Sequence, residues 1–473
     1  MISRTIQGDL EKPPPAWEFP LLVALAMAGA LGRFLNLGAW SLELDEALFL
    51  ADARHEDGLN YPLGYWFARW IWDLFAQDAP AEWLLRLPSA LVGALSVPAT
   101  FWAARALVDR RVAALAAALV ALSAWALFWS QMARFYALTQ FVCLLSGGFV
   151  LRGVVRGSWG LLILGGLIGA AAPFCHPSGG LFLGGLWFAV MAWYWLKDEP
   201  TETQRDIRRV FLAASVAGVA VGLWWGAKIL GVWQANTRGI ASNPLHLIKS
   251  AGYYVTPWLG LAFIIGLIAS SQSRKPEDAA LCTLVVGAGV LALAASFIDR
   301  FAAQYVYFLF PWVVMVAAYG IRRLWFDRTA MFIALGLCLA NSAHYHLARH
   351  GDRPRWRDAA AFLVENSRPG DLYVGMHAPA LEYYLNPGSS RLREPVALAY
   401  LDRHRSDHLQ RWSQERRRVW IVVNPEEFKD WSGRDRDDTA DFIRSGCWSA
   451  AKFPIAYPLG VRDLDVNVWL WSR

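Results

Sequence analysis

The chain has 473 residues, of which 56% are hydrophobic and only 18% charged. Soluble chains average about 45–50% apolar and roughly 25% charged, so this composition excludes a disordered, collagen-like or disulfide-scaffold protein. A formal charge of +6 would fit a nucleic-acid binder, but the positive residues are spread over short loops between apolar runs. The mean hydropathy of +0.29 indicates a greasy part joined to an ordinary one. Four cysteines, Cys143, Cys175, Cys282 and Cys338, lie in or beside apolar runs. They read as small packing residues. Cys447 stands alone in a polar region, so no disulfide framework exists there.

Apolar runs of bilayer-crossing length recur through the first three quarters of the chain. In order they are Trp17–Leu37, Leu84–Leu107, Val112–Ser130, Phe135–Leu151, Trp159–Cys175, Gly179–Leu196, Val210–Leu230, Ser250–Ser270, Ala279–Ile298, Phe308–Ile321 and Ala330–His346. That predicts about eleven transmembrane helices in residues 1–346. The first run carries small residues at Ala24, Ala26 and Ala28 that resemble a leader cleavage site. Asp9 and Glu11 spoil a basic leader, and the apolar stretch continues through Phe34 and Leu35, so it reads as a retained span.

Positive residues orient the helices. Loops after even-numbered spans hold 14 Lys and Arg; the later short loops after odd-numbered spans hold four, Arg134, Arg238, Lys249 and Arg300. The even loops therefore face the cytoplasm, as does the N-terminus with Arg4 and Lys12. An odd number of spans places the C-terminal region outside.

Two segments are not simple spans. The first outer loop, residues 38–83, carries Glu43, Asp45, Glu46, Asp52, Glu56 and Asp57. Its stretch Tyr65–Phe75 is too charged and too short for a comfortable span. It reads as an interfacial helix anchored by Trp66, Trp70 and Trp72. A twelfth span there is the alternative, and it would invert the later topology against the charge count. The tail, residues 347–473, shifts to mixed charge. Trp356–Glu365 has helical spacing, and Asp371–Gly375, Arg418–Val423 and Asp465–Leu470 read as strands. The tail is therefore expected to be a small extracytoplasmic α/β domain. It contains no glycine-rich phosphate loop, zinc spacing or nucleophile motif.

Almost no ionisable residue lies at mid-span. Arg33, Arg134, His176, Lys228 and Arg300 sit near span ends, and the assigned topology puts all five on the outer side with Asp45 and Glu46. An ion-coupled transporter typically places its site near the midplane. This pattern instead points to a catalytic cavity opening at the outer leaflet.

Four motifs then resemble, in order, those of polytopic glycosyltransferases with a C-type fold. The stretch Trp40-Ser41-Leu42-Glu43-Leu44-Asp45-Glu46-Ala47 resembles their first-loop Asp-Glu signature. Asn60-Tyr61-Pro62-Leu63-Gly64-Tyr65 is similar to His/Lys-Pro-Pro-Leu-x-Tyr. Leu85-Arg86-Leu87-Pro88-Ser89-Ala90-Leu91 is similar to Arg-x-Pro-Ser-Ala-Leu, and Ala133-Arg134-Phe135-Tyr136-Ala137-Leu138 to Ala-Arg-x-Tyr-x-Leu. The tail start, Trp356-Arg357-Asp358-Ala359-Ala360 followed by Pro369-Gly370-Asp371, also resembles the family. Its members include protein O-mannosyltransferases, lipid A aminoarabinose transferases and transferases of the rhizobial lipopolysaccharide galacturonosyltransferase type, all similar to glycosyltransferase family 39.

The resemblance implies a sugar donor on a polyprenyl monophosphate and an acceptor glycan, lipid or protein outside a bacterial cytoplasmic membrane. It implies inversion at the anomeric carbon. Such a displacement needs one carboxylate to take the acceptor proton and cations or dipoles to hold the departing phosphate. Asp45 is then the general base; its plain alternative is a solvated or helix-capping carboxylate. Glu46 points about 100° away on a helix and is expected to orient acceptor or metal. Arg134 and Arg300 are expected to contact donor phosphate, against the alternative of span-end arginines snorkelling to headgroups. Tyr136, His176 and Tyr305 join them as substrate-binding groups, with interface-belt or helix-end packing as the alternative. Lys228 is a weaker candidate for the same purpose. Asn60 departs from the family, which has a basic residue there, and brings no charge to the donor. A divalent ion is a further cofactor candidate, held by Asp45 and Glu46 if by any residues, though the spacing fits no specific metal pattern. A transporter or flippase of lipid-linked glycans, and a non-catalytic scaffold, are the competing functions. The tail's outer location makes a role in acceptor choice the expectation.

Overall fold

The computed structural model describes residues 15–54, 62–75, 81–236, 244–298, 301–324, 326–376, 378–385, 398–401, 407–415, 418–425, 433–455 and 463–472. All eleven apolar runs are helical. The helices are α1 (Glu18–Phe34), α2 (Leu44–Arg54), α3 (Pro62–Asp73), α4 (Glu82–Ala104), α5 (Arg110–Leu122), α6 (Ala124–Ser130) and α7 (Tyr136–Arg156). There follow α8 (Trp159–Cys175), α9 (Gly179–Leu196), α10 (Glu202–Asn236), α11 (Pro244–Val255), α12 (Pro257–Ser271), α13 (Pro276–Ser296), α14 (Phe310–Arg323) and α15 (Asp327–Leu347). A short 3-10 helix, Ala303–Leu309, precedes α14, so that span begins earlier than its apolar run.

Among the described residues, six helices are long and apolar enough to cross a membrane, or eight if each of two bent pairs counts as one span. The other expected runs are short or bent, and the run Val210–Leu230 lies in α10, where several side chains fall outside the described residues. Helices α1 and α8 have 17 residues each, about 26 Å of helix against a hydrocarbon core of about 30 Å. The run Val112–Ser130 is not one rod: α5 and α6 meet at 60°. Ser123 takes extended backbone there, and its hydroxyl accepts from the Ala126 amide to start α6. The run Ser250–Ser270 bends by 102° at Thr256, whose φ is +66°. The following Pro257 disfavours helical backbone at this residue.

The chain forms two compact units that do not follow its order. One comprises Met1–Leu35, Asp57–Arg69 and Leu87–Ser342; the other comprises Asn36–Glu56, Trp70–Arg86 and Ala343–Arg473. Two pieces of the first outer loop thus cluster with the tail.

The first unit is a helix assembly whose polar ends satisfy one another. The bend at Ser123 strips the last carbonyls of α5 of helical partners. Arg33 of α1 reaches them: Nη2 donates to the Val120 carbonyl at 3.2 Å and Nη1 to that of Ala121 at 3.3 Å. Gln131 returns the favour at the end of α1, its Nε2 donating to the carbonyls of Gly32, Arg33 and Leu35 at 3.2, 3.1 and 2.7 Å. Arg33 was expected among the outer polar groups of a cavity. It is instead buried as a helix cap. Elsewhere small residues let backbones meet, as is common between membrane helices. A Cβ on Gly266 of α12 would overlap the Val316 carbonyl of α14, and one on Gly320 would lie 2.6 Å from the Gly266 nitrogen.

The second unit contains a five-stranded sheet flanked by helices. Its elements are α16 (Trp356–Asn366), β1 (Leu372–Gly375), α17 (Ala378–Leu385), β2 (Leu398–Tyr400), α18 (Asp407–Glu415), β3 (Arg418–Val423), α19 (Gly433–Gly446), β4 (Trp448–Phe453) and β5 (Val466–Ser472). Strand order is β2-β1-β3-β5-β4. β1 runs parallel to β2 and β3, and β5 is antiparallel to β3 and β4. The predicted helix and three strands are present; β2 and β4 were not foreseen. From Val419 onward β3 is apolar, because it is covered on both faces. Trp420 and Val422 pack with Trp356, Ala360 and Leu381 of α16 and α17. Val419, Ile421 and Val423 pack with Leu409 of α18 and Ile443 of α19. Ala47 of α2 belongs to the α16–α17 side of this core.

The predicted helix of the first outer loop is α3. Trp66 and Trp70 lie one turn apart and are exposed, but Trp72 is buried. Its ring meets Phe49 edge-on at 6.0 Å. Trp72 is therefore a packing residue and not the third anchor that the sequence implies.

Replacing Arg33 by methionine should strand the Val120 and Ala121 carbonyls and destabilise the protein by about 2–3 kcal/mol. A lowered thermal midpoint of the purified protein in detergent checks this.

Candidate active site

In the second unit the candidate base sits on α2, a helix with an unusual start. The Glu43 carboxylate accepts from the Asp45 amide at 2.7 Å, and the Glu46 carboxylate reaches back to the Glu43 amide at 3.0 Å. This resembles a capping box, with glutamate where serine or threonine is usual and its side chain taking the second rather than the third helical amide. Asp45 occupies the second helical position and is half-buried. Successive helical residues point about 100° apart. Glu46 and Ala47 therefore cover two faces of the helix, and both are buried.

Glu46 has no solvent-exposed surface. Its Oε1 accepts from Arg86 Nε at 2.8 Å and its Oε2 from Arg86 Nη2 at 2.8 Å, a bidentate fork. Arg353 Nε lies 3.3 Å from the same Oε2. Arg86 spends its remaining donors on the carbonyls of Leu37 and Trp40, both at 3.0 Å, and Ser41, at 2.8 Å. Glu46 was expected to bind substrate. It is fully buried, with both carboxylate oxygens facing guanidinium groups. The same geometry argues against metal at this pair, because both Glu46 oxygens are already committed to cations. Among the described residues no cluster of three His, Cys, Asp or Glu side chains could hold a metal ion.

In the first unit, four predicted residues come together at the ends of helices. Tyr136 begins α7, His176 ends α8, and Tyr305 lies in the 3-10 helix. The His176 ring stacks on Phe135 at 5.0 Å and 20° and on Tyr305 at 5.5 Å and 8°. Tyr136 lies 5.3 Å from His176 and 6.3 Å from Tyr305. The Arg134 guanidinium sits over the Phe135 ring at 4.9 Å and near that of Tyr136 at 6.0 Å. Ser89 fixes the Arg134 backbone, its hydroxyl donating to the Arg134 carbonyl at 2.9 Å. Two of the sequence motifs thereby meet.

The protonation of His176 follows from its neighbours. The Ser178 amide donates to Nδ1 at 3.2 Å, and the Ser178 hydroxyl lies 2.7 Å from the same atom. Nδ1 is thus an acceptor, which leaves the ring proton on Nε2. Burial, reinforced by Arg134, pushes the His176 pKa down to about 3. The ring is a neutral donor near pH 7, and not a second cation.

Asn60 and Arg300 lie outside the described residues, as does the side chain of Lys228. Sequence reasoning missed Arg353, which no local pattern marks. It also gave no role to Arg86 or Ser89, although both stand in a quoted motif. Phe135 looked like an ordinary apolar position and is the ring on which His176 stacks.

Glu46→Gln should leave two guanidinium groups without their carboxylate and cost about 3–5 kcal/mol, read as a lowered unfolding midpoint. His176 carries a pH signature. Its folded pKa lies below the unfolded value of about 6.5, so its contribution to stability is intact above pH ~6.5 and declines as the pH falls from there towards 3. His176→Phe should lose less stability than the parent between pH 6.5 and 4, as denaturation series at stepped pH would show.

No protein-family model matches the chain, and no curated protein matches it in sequence. Solved structures do match in shape. ArnT from Cupriavidus metallidurans in the apo state is 14% identical with a TM-score of 0.54, covering 96% of this chain and 97% of its own. The same protein bound to undecaprenyl phosphate gives 14% and 0.53 over the same shares. The Archaeoglobus fulgidus oligosaccharyltransferase AglB, in complex with an inhibitory peptide and a dolichol-phosphate, is 11% identical with a TM-score of 0.54, covering 96% of this chain and 75% of that one. At these identities the likeness establishes architecture. The chain is a polytopic α-helical membrane protein with the C-type glycosyltransferase fold and a small C-terminal α/β part.

Proposed function

We propose that this protein is an inverting glycosyltransferase that moves a sugar from a polyprenyl-phosphate donor to an envelope glycan, lipid or protein acceptor. The reaction is placed on the outer face of the bacterial cytoplasmic membrane, with the N-terminus inside and the α/β part outside. The observation that carries this reading is Asp45 on a capped helix locked by the Glu46–Arg86 fork, within a fold shared with a protein solved with undecaprenyl phosphate.

Asp45 takes the proton from the acceptor hydroxyl as its oxygen attacks the anomeric carbon from the side opposite the phosphate. The anomeric carbon–oxygen bond breaks, its electron pair goes to phosphate, and polyprenyl phosphate leaves. Arg134 supplies positive charge to that phosphate. His176, held neutral, supplies a hydrogen-bond donor through Nε2, and Tyr136 and Tyr305 supply hydroxyls and ring faces. Asn60 and Arg300, outside the described residues, are the further candidates for donor contact.

Asp45→Asn keeps shape and removes the base. Positioned general bases contribute about 10²–10⁴ in rate. With purified protein in nanodiscs and a panel of undecaprenyl-phosphate-linked sugars, transfer should fall by at least about 100-fold, while undecaprenyl phosphate still binds. Transfer at the parent rate would overturn the assignment of the base. Absence of transfer by the parent protein across the panel would count against the donor class.

A further inference from the structure

We infer that the start of the tail is a clamp that positions the Asp45 helix, with Arg353, Arg357 and Tyr384 as its positioning residues. This inference rests on the glycosyltransferase reading above, and all of its geometry lies within the second unit.

Helix α2 has only 11 residues, and helices so short are marginal in water without tertiary support. The segment before it, from Leu37 to Leu42, has no regular secondary structure to satisfy its backbone. Side chains do so instead, residue by residue. Arg86 takes the carbonyls of Leu37, Trp40 and Ser41. Arg357 takes those of Gly38 and Ala39 at 3.0 and 3.1 Å, and its backbone amide donates to the Ser41 hydroxyl at 3.1 Å. The Tyr384 hydroxyl accepts from the Leu42 amide at 2.6 Å and donates to Glu82 Oε1 at 3.2 Å. Glu82 in turn pairs with Arg357 at 2.5 Å. Two of these three side chains come from the tail. Ala47, one residue past the Asp-Glu pair, is in the tail's core.

Arg353 adds the contact at Glu46, and the chain accepts strained backbone to deliver it. His350, Gly351 and Asp352 have φ of 50°, 62° and 57°. This left-handed run is unfavourable for the two residues that carry a Cβ. Gly351 is needed for a second reason, because a Cβ there would overlap the Trp40 ring. The Arg353 guanidinium lies 5.8 Å from that ring and donates to the Gly351 carbonyl at 2.7 Å. Asp352 is tied back to Arg349 at 3.1 Å. The turn therefore grips Trp40 and Glu46 together, on either side of the segment that leads to Asp45. The tail is thereby a structural part of the loop that carries Asp45.

The test compares Arg353→Met and Arg353→Lys with the parent, using full-length protein in nanodiscs. Hydrogen–deuterium exchange is read on peptides spanning 38–50, and kcat and KM are read with an undecaprenyl-phosphate-linked sugar. In Arg353→Met, exchange over this stretch should rise at least about tenfold and kcat should fall at least about tenfold, with donor KM within about twofold. Each tenfold change corresponds to about 1.4 kcal/mol. Arg353→Lys, which keeps charge near Glu46, should recover part of the kcat. Unchanged exchange, or faster exchange with unchanged kcat, overturns the clamp. If the parent shows no transfer while exchange rises in the variant, the glycosyltransferase reading fails and the clamp geometry stands. Should Arg353→Met not fold, Arg357→Gln, whose side chain is 37% exposed, is measured in the same way with the same criteria.

Discussion

A fully buried carboxylate holding two guanidinium groups organises the second unit. Glu46 with Arg86 and Arg353 has no solvent-exposed side-chain surface. Burying such charges is costly, and only close geometry with further hydrogen bonds offsets that cost. Both conditions are met: the fork is bidentate, and Arg86 also holds three backbone carbonyls. The interaction therefore does more than pair two charges. It sets the path of an otherwise irregular segment and the rotation of α2, and so decides where Asp45 can point.

The first unit solves the complementary problem. Inside a membrane protein, backbone groups freed at a helix break need internal partners. Arg33 and Gln131 meet that need at the ends of α5 and α1. Side chains that look like catalytic candidates by position are thereby consumed by architecture. What remains at the helix ends is the aromatic group around His176. Stacked rings and the Ser178 contacts hold the imidazole in one tautomer.

Much of this was legible in the residues. Among the described residues, each helix long and apolar enough to cross a membrane overlaps a run that hydropathy located, because apolar length is a local property of sequence. The order of the motifs marked Asp45, Arg134 and Tyr136. The tail's helix α16 and strands β1, β3 and β5 followed from periodicity, whereas β2 was too short and β4 too exposed to show an apolar signature. The bends at Ser123 and Thr256 escaped hydropathy, which averages over a window and does not sense the backbone angle of one residue. Glu46 was misread because an adjacent carboxylate looks the same in sequence whether it faces solvent or a guanidinium 40 residues away. Trp72 was misread because an amphipathic tryptophan suits both an interface and a core.

Sequence alone determined the class of the molecule: a multi-pass helical membrane protein, an α/β tail and an Asp-Glu loop, since length, apolarity and motif order are written locally. Tertiary structure decided which charges are buried as fasteners. Arg353 lies 307 positions from Glu46, and no spacing rule joins residues so far apart. Only the folded chain shows that the segment after the last membrane helix returns to hold the helix that carries Asp45.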